Sequence, residues 1–406
     1  MHQEGTVLGV EDITFRNIRY YGAQPNPDVF KVKSTIITTA MKKIFLSLVL
    51  TIGSLVFSFA QQSITVTVSN PTAVQRQELI AVNASELPFP AKKGIIVRDA
   101  FGIEQASQLT HDGKLLLYVH VRPNGKAVFT IQPGTPAPVA SWVGGRQYPE
   151  RKDDMAFEND RIGFRLYGPA LQRTGEKGFG HDVWVKRTSE LILDELYRHN
   201  PMLSFHWDYG KGLDCYGVGP TLGCGTPCVL RNGKIVYPWC YDTYKILDKG
   251  PLRFTVQVNF AAVDGVTEHR ILSLDKGSNF CEATVWYDGM SGPTDIAAGL
   301  AIRPADPKPV IIGKDYVHYA DPTVDPERHQ FQIYSALLFP DQPVTITQQE
   351  SHALGVMKGY QSGQRFHYFF GAAWSEFDVR SQGEWQLRID GFIQARQHPL
   401  QITINK

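Results

Sequence analysis

Short segments in which apolar and polar residues alternate recur along the chain from residue 63 onward. The first is SITVTVSN at Ser63, and KLLLYVHV and KAVFTIQP lie on either side of Pro123-Asn124-Gly125. Alternation with a period of two is typical of β-strands that bury one face. The pattern therefore predicts a small β-sandwich over residues 61–135, in which the last two segments form a closing pair.

A second series of strand patterns follows a stretch without periodicity. The segment PGTPAPVASWVGG is rich in Pro, Gly and Ala, which predicts a linker at residues 136–145. Beyond it lie GPLRFTVQVNF, RHQFQIYSALLFP, GEWQLRIDGF and similar segments, with turn residues between them. This spacing predicts a large antiparallel sandwich over residues 146–406. A partial 3.6-residue stripe predicts one helix, Val185–His199.

An apolar run near the N-terminus has the pattern of an export signal. Lys42 and Lys43 precede the run, and small residues end it at Ala60. We expect residues 41–60 to be a cleaved signal peptide, which leaves a periplasmic or secreted protein without stable membrane insertion. Residues 1–40 are then a non-native N-terminal extension, because a signal peptide belongs at the start of a chain. The alternative is an uncleaved anchor, although the run is short for a bilayer.

The charge balance bears on the class of partner. The chain has 41 basic and 40 acidic residues, a net charge of +1, and 43% hydrophobic residues. Such a chain can bury a large core and is globular. Binding to nucleic acid needs a surplus of positive charge against the phosphates, so we expect no nucleic acid partner.

Four motifs resemble those of one bacterial family. They are GHDVWVKR (180–187), HWDYGKGLDCYGVGPTLGCG (206–225), GPLRF (250–254) and EHRILSLDKGSN (268–279), and they look like the family catalogued as domain of unknown function 4861. The strand pattern is also similar to the galactose mutarotase-like superfamily. This resemblance implies an all-β fold, a large antiparallel β-supersandwich preceded by a small β-sandwich, with sugars bound on the concave face of a large sheet. Epimerases, polysaccharide lyases and glycoside hydrolases share that fold, so the chemistry stays open.

Reactive side chains are densest between residues 181 and 216. Glycines interrupt this segment, and glycines let a loop bend tightly around a ligand. The alternative is a connecting loop in which the aspartates only stabilise turns. The candidate catalytic residues are His181, Asp182, His206, Asp208, Asp214 and Tyr216.

Each sugar chemistry needs particular partners. A glycosidase uses two carboxylates, which Asp182, Asp208, Asp214, Glu268 and Glu282 offer. A uronate lyase uses a His or Tyr base and a positive group for the carboxylate, and an epimerase pairs a His with a carboxylate. Aromatic rings also offer flat apolar surfaces to pyranose rings. The expected substrate-binding residues are Trp184, Lys186, Trp207, Arg253, Glu268 and Arg270.

No cofactor motif is present, and no metal ligand set is predicted. A calcium ion on Asp315, Asp321 and Asp325 is conceivable because oxygen-rich loops bind calcium. Cys224 and Cys228 offer a disulfide that an oxidising compartment would permit.

The sequence thus favours a periplasmic carbohydrate-active enzyme that degrades or remodels uronic-acid-containing saccharides by lyase or glycoside hydrolase chemistry. The expectation of pectic substrates rests on VEDITFRNIRYY (10–21), which resembles one coil of the β-helix of polygalacturonase-type pectinases. Two alternatives stay open. One is a non-catalytic carbohydrate-binding protein that uses the same aromatic groove, and the other is a structural periplasmic protein.

Overall fold

The computed structural model describes residues 63–200, 202–303, 309–328 and 331–405. The predicted extension (1–40) and signal peptide (41–60) lie outside these residues. Within the described part of the chain, no helix has the length and apolar character that a membrane crossing requires.

A small β-sandwich is built from the first strands and from the last one. One sheet has the order β26-β1-β7-β3-β4 and the other β2-β6-β5. The strands are β1 (Ile64–Ser69), β2 (Arg76–Asn83), β3 (Ile95–Asp99), β4 (Glu104–Gln105), β5 (Ser107–Leu109), β6 (Lys114–Val121), β7 (Lys126–Pro133) and β26 (Gln401–Asn405). Alternate residues point inward, such as Val66, Val68, Leu117 and Ile131, and form one buried core.

The predicted pairing of β6 with β7 is wrong. β6 pairs with β2 and β5, whereas β7 pairs with β1 and β3. Leu117 of β6 and Ile131 of β7 belong to the same core. The two strands therefore bury their apolar faces against each other from opposite sheets, and the turn at Pro123-Asn124-Gly125 crosses between the sheets.

The larger part of the chain contains three antiparallel sheets. Their orders are β12-β11-β10-β9-β8, β14-β13-β19-β24-β23 and β15-β16-β17-β18-β25-β22-β21-β20. The strands are β8 (Val143–Tyr148), β9 (Asp154–Asn159), β10 (Ile162–Leu166), β11 (Asp182–Lys186), β12 (Gly212–Asp214), β13 (Cys224–Arg231), β14 (Lys234–Val236), β15 (Thr243–Lys249), β16 (Arg253–Asn259), β17 (Thr267–Asp275), β18 (Phe280–Asp288), β19 (Thr294–Ala301), β20 (Ile311–Ile312), β21 (Tyr316–Asp321), β22 (Ile333–Leu338), β23 (Thr345–Gln349), β24 (His352–Tyr360) and β25 (Phe366–Trp374). The helices are α1 (Pro169–Arg173), α2 (Leu193–His199) and α3 (Gln382–Gln397).

The eight-stranded sheet packs its inner face on the two five-stranded sheets. Phe157 of β9 stacks on Phe254 of β16 with ring centroids 5.4 Å apart, and Phe164 of β10 meets Phe370 of β25 edge-on at 5.0 Å. One core cluster includes inward residues from all three sheets. The predicted all-β fold, with a large antiparallel sandwich and a small one, is confirmed.

The linker predicted at residues 136–145, between the small and the large sandwich, stays a prediction. Two features of the structure bear on it. β8 begins at Val143, within the range predicted to be a linker. β26 pairs with β1, with Thr65 opposite Asn405, so residues 401–405 complete the sheet of the small sandwich.

Both helical regions differ from their prediction. The helix predicted at Val185–His199 covers only Leu193–His199, because β11 continues to Lys186 and buries Val183 and Val185 in the core. The segment GEWQLRIDGF, predicted to be a strand, lies in α3. There Trp385 and Ile389 are one helical turn apart and both pack on the eight-stranded sheet.

The five cysteines are buried free thiols. Cys224 and Cys228 both lie on β13. Four steps along an extended strand separate Cα atoms by roughly 13 Å, and a disulfide needs its Cα atoms within about 7 Å. The disulfide that the sequence offered is therefore absent from this pair.

Candidate functional site

A polar face lies on the outer side of the β8–β12 sheet, away from the eight-stranded sheet. The register places Arg165 opposite Asp182 and Trp184 opposite Asp214. Residues two apart on a strand point to the same side, so these four side chains share one face. Val183, between two of them in sequence, points into the core instead.

One guanidinium on this face is surrounded by three carboxyl groups, and we name the four residues the Arg165 cluster: Arg165, Asp154, Asp182 and Asp214. Arg165 Nη2 donates to Asp214 Oδ2 at 2.8 Å and also contacts Asp182, while Nη1 lies 3.5 Å from Asp154 Oδ2. All four side chains are at most 4% exposed. One positive charge cannot neutralise three buried carboxylates, so burial favours protonation within the cluster.

Two of these carboxyl groups have displaced pKa values. Burial raises the pKa of Asp154 to about 6, although the charge of Arg165 opposes it. Burial, opposed by Arg165 and joined by repulsion from Asp214, raises the pKa of Asp182 well above its usual range. A carboxyl group that holds its proton near neutral pH can act as an acid, and displaced pKa values of this kind gather at functional sites.

α2 and the segment that follows it cover the cluster. Tyr197 donates its hydroxyl proton to Asp154 at 3.1 Å. Phe205 and Tyr197 pack against the indole of Trp184, with centroid separations of 4.8 and 5.0 Å. Lys186, further along β11, is buried with its Nζ 2.6 Å from Glu158. Trp184 and Lys186, predicted to bind substrate, therefore support the sheet and its cover.

His206 is an exposed titratable side chain that contacts the cluster through Asp214. Its side chain is 55% exposed, and its ring lies edge-on to Phe205. Nδ1 lies 2.9 Å from the backbone oxygen of Asp214 and 3.7 Å from the carboxylate of the same residue. A carbonyl oxygen only accepts, so Nδ1 carries the proton of the neutral ring. Nε2 is then the basic nitrogen.

Exposed aromatic rings lie next to His206 in sequence. Trp207 is 49% exposed and Tyr209 53% exposed. The guanidinium of Arg328 lies 4.2 Å from the centroid of the Trp207 ring. We call His206, Trp207 and Tyr209 the His206 rim. It places flat apolar surfaces beside an imidazole that can accept or donate a proton.

Asp208 stabilises a turn and also pairs with an arginine beside the rim, while its predicted catalytic role stays a prediction. Its Oδ1 accepts from the amides of Gly210 at 2.7 Å and Gly212 at 3.1 Å, which stabilises the turn. Its Oδ2 accepts from Arg187 at 2.9 Å, and Arg187 also contacts Glu376 at 3.6 Å. The charged groups beside the rim thus include one arginine between two carboxylates.

The remaining predicted residues lie away from the rim. His181 Nε2 is 2.9 Å from Arg270 Nη1, Arg270 also pairs with Glu268, and all three are buried on the inner side of the sheets. Burial and the charge of Arg270 lower the pKa of His181, which keeps its ring neutral. Tyr216 is buried in the core, and burial raises its pKa well above the usual range. The six candidate catalytic residues therefore do not form one hollow.

Arg253 lies on the outer face of the eight-stranded sheet. Its Nε and Nη2 donate to the two oxygens of Asp275 at 2.6 and 2.8 Å. This position belongs to a separate cleft and not to the His206 rim.

The conceivable calcium ligands do not form a set. Asp321 pairs with Arg303 at 2.8 Å, and Asp325 pairs with Arg328 at 3.3 Å. Across residues 63–405, gaps excepted, no group of three or more His, Cys, Asp or Glu side chains is arranged to hold a metal ion.

Two residues of the cluster, Arg165 and Asp154, were missed from the sequence. Each lies on a different strand from the motif that contains Asp182. Only the strand pairing brings them together, and no local spacing signals it. The charged Arg165 within DRIGFRLYG is compatible with an ordinary solvent-facing position.

The chain is similar to a family of known proteins and to one curated protein. The model of the family described as Domain of unknown function (DUF4861) matches residues 68–402. Among curated proteins, Uncharacterized protein P7 of Formosa agariphila is 25% identical over 315 residues, 71% of this chain and 78% of that protein.

Two solved structures from Enterococcus faecalis are also similar. An alpha-mannosidase has a TM-score of 0.48 and 9% identity, over 86% of this chain and 46% of its own. A protein in the glycosyl hydrolase family 38 has a TM-score of 0.47 and 8% identity, over 86% of this chain and 48% of its own. The chain spans about half the length of each of these structures.

Proposed function

Since this chain belongs to the domain of unknown function 4861 family, whose description names no activity, we propose a function from the chain's own site. The protein is a carbohydrate-active enzyme that degrades or remodels uronic-acid-containing saccharides, including pectic ones, in the periplasm or outside the cell. The observation that carries this proposal is His206, half exposed beside Trp207 and hydrogen-bonded through Nδ1 to Asp214.

In the elimination form of the reaction, Nε2 of His206 removes the proton next to the sugar carboxylate. The released electron pair forms a carbon–carbon double bond while the glycosidic oxygen leaves and takes a proton from solvent. Asp214 holds the imidazole in the tautomer that this step needs. Arg187 and Arg328 carry the exposed positive charges beside the rim that receive the carboxylate.

In the hydrolytic form, two carboxylates flank the glycosidic bond. Asp208 and Glu376, which both contact Arg187, supply partly exposed carboxylates near the rim. His206 then assists as a proton donor or acceptor. The products distinguish the two forms, because only elimination creates an unsaturated uronate.

The test is an activity assay on uronic oligosaccharides that follows ultraviolet absorbance and new reducing ends together. His206→Gln is expected to lower turnover by about 100-fold or more, the usual size of a general acid–base contribution. His199→Gln is the matched control, since His199 ends α2 above the same face. Turnover of His206→Gln equal to that of His199→Gln would contradict the proposal.

A second candidate function is saccharide binding without turnover. The observation that favours it is the burial of Asp182, Asp214, Trp184 and Lys186 beneath α2, which leaves the aromatic rim as the accessible part. This reading predicts that calorimetry detects oligosaccharide binding, that Trp207→Ala weakens it, and that no product forms. Any unsaturated or reducing-end product that depends on His206 excludes it.

A further inference from the structure

A cleft of about 950 Å³ lies between the small sandwich, the outer face of the eight-stranded sheet and α3. Arg76–Ile80 of β2 form one wall, the turn after β17 forms the floor, and α3 forms the opposite wall. Neither the Arg165 cluster nor the His206 rim lines it. Its volume is at the upper end of the range of about 300–1,000 Å³ that is usual for ligand pockets.

The charges along this cleft are balanced and held in place. Its lining includes six acidic and six basic side chains. Arg253 is fixed by two hydrogen bonds to Asp275, and Arg396 donates to Asp341 at 2.6 Å. A polyanion would have to displace these carboxylates from their arginines, and a polycation would have to displace the arginines from the carboxylates.

Glu282 is an ionised carboxylate in the cleft that can accept hydrogen bonds from a neutral ligand. It accepts from His367 at 2.8 Å and remains partly exposed. Burial opposes the effect, yet the hydrogen bond from His367 and the charges of Arg253 and Arg396 lower the pKa of Glu282. The carboxylate stays ionised and can accept further hydrogen bonds.

Hydroxyl groups complement this lining. Each hydroxyl donates to a carboxylate and accepts from a guanidinium, so a polyhydroxylated ligand can use both halves of every pair. Leu387, which is 70% exposed, and the partly buried Phe392 add apolar surface to the lining, which suits the CH faces of a pyranose ring.

We propose that this cleft is a second saccharide site, which holds a neutral, hydroxyl-rich segment of a polysaccharide away from the His206 rim. The proposal rests on the proposed function for the class of ligand only. Beyond that function, it specifies a second position on the molecule where the polymer binds. It also specifies that the segment bound there is neutral.

Gly391 is a position at which a substitution changes the volume of the cleft directly. It lies in the middle of α3, lines the cleft, and a Cβ built on it meets no atom within 4 Å. A large side chain at this position therefore fills the cleft without entering the core. Gly391→Ala is the matched control, because a methyl group fits in the open space.

The experiment is calorimetry of neutral oligosaccharides, namely galactan and xylan fragments, with the full chain. We expect the wild type and Gly391→Ala to bind alike and Gly391→Trp to bind at least tenfold more weakly. Binding is also expected to change little between low and high salt, since screening acts on charged ligands. Equal affinity of Gly391→Trp and Gly391→Ala, or absence of binding to the wild type, overturns the proposal.

A second variant tests the cleft independently of whether Gly391→Trp folds correctly. Gly391→Cys places an exposed thiol in a chain whose own cysteines are all buried. A bulky thiol reagent then blocks the cleft after folding, and affinity is measured before and after labelling. Unchanged affinity after complete labelling overturns the proposal equally.

The His206→Gln variant separates this inference from the proposed function. We expect it to bind neutral oligosaccharides with wild-type affinity while it loses turnover. If it keeps its turnover, the proposed function fails, and the cleft is still judged by the Gly391 variants. If turnover is lost but the Gly391 variants bind alike, the cleft proposal alone fails.

Discussion

At the scale of single residues, Arg165 supplies the positive charge of the Arg165 cluster on the outer face of the β8–β12 sheet. Its guanidinium is buried among Asp154, Asp182 and Asp214. A buried charge is tolerated only when it is paired, and a buried carboxyl group without full compensation keeps its proton. The stability of this face therefore depends on pH through its aspartates.

Asp154→Asn tests that dependence. The pKa of Asp154 is raised to about 6 in the fold, so its stabilising contribution is present at low pH and is lost as pH rises through 6. This rise in the pKa of Asp154 corresponds to at most about 3 kcal/mol in the free energy of unfolding. Denaturant unfolding from pH 4 to 8 is expected to show a shallower loss of stability in Asp154→Asn. The exposed Asp264→Asn serves as control, and an unchanged slope in Asp154→Asn would refute this assignment.

Arg165→Met should be strongly destabilising near neutral pH. It removes the positive partner of the buried carboxylates, and breaking such a network costs about 3–5 kcal/mol. Arg187→Met removes an arginine from partly exposed pairs with Asp208 and Glu376 and is expected to cost about 1 kcal/mol or less. Denaturant midpoints of the two variants compare the effects. A similar small change in both would show that the Arg165 cluster is not a stabilising network.

Two of the four residues in the Arg165 cluster could be identified from the sequence, and two could not. Asp182 and Asp214 were identified because they lie in dense polar motifs. His181 was grouped with Asp182, yet neighbours on a strand point to opposite sides, so His181 faces the inner network with Arg270. Arg165 required knowledge of strand pairing, which alternation alone does not provide.

At the scale of elements, α3 shows how one pattern can fit two structures. In GEWQLRIDGF, the apolar residues alternate like a strand, and they also recur at helical spacing through Trp385 and Ile389. The deciding signal is Ser381, whose Oγ accepts from the amide of Glu384 at 3.2 Å while the Glu384 carboxylate accepts from the amide of Arg380. A Ser followed three residues later by Glu is typical of a helix start.

Ser381→Ala is expected to destabilise the protein by about 1 kcal/mol, the usual cost of losing an N-cap side chain. The loss arises because the amide of Glu384 is left without its side-chain acceptor. Thermal unfolding measures it, with the exposed Ser189→Ala as the control. Equal midpoints for the two variants would show that the cap contributes nothing measurable.

At the scale of the whole molecule, the small sandwich is closed by the far end of the chain. β26 pairs with β1 along five residues, and Ile404 packs against the small core. The sequence predicted a sandwich from residues 61–135 because its strands are local and alternate clearly. It could not predict β26 as the partner, because that pairing joins segments more than three hundred residues apart.

Removal of residues 401–406 is expected to destabilise the small sandwich by several kcal/mol, since about five ladder pairs are lost at about 1 kcal/mol each. It also exposes the edge of β1, which favours association between chains. Thermal unfolding followed by light scattering measures both effects. Ile402→Thr, which keeps the ladder, is the control. A truncated chain that unfolds like this control would contradict the structural role of β26.

We propose that saccharide chemistry takes place at the His206 rim on the outer face of the β8–β12 sheet. The most direct test is a crystal structure of His206→Gln with an uncleaved uronic oligosaccharide. We expect a sugar ring on Trp207, with the carbon next to its carboxylate within about 3.5 Å of the side chain at position 206. An oligosaccharide bound elsewhere, with the rim empty, would contradict it.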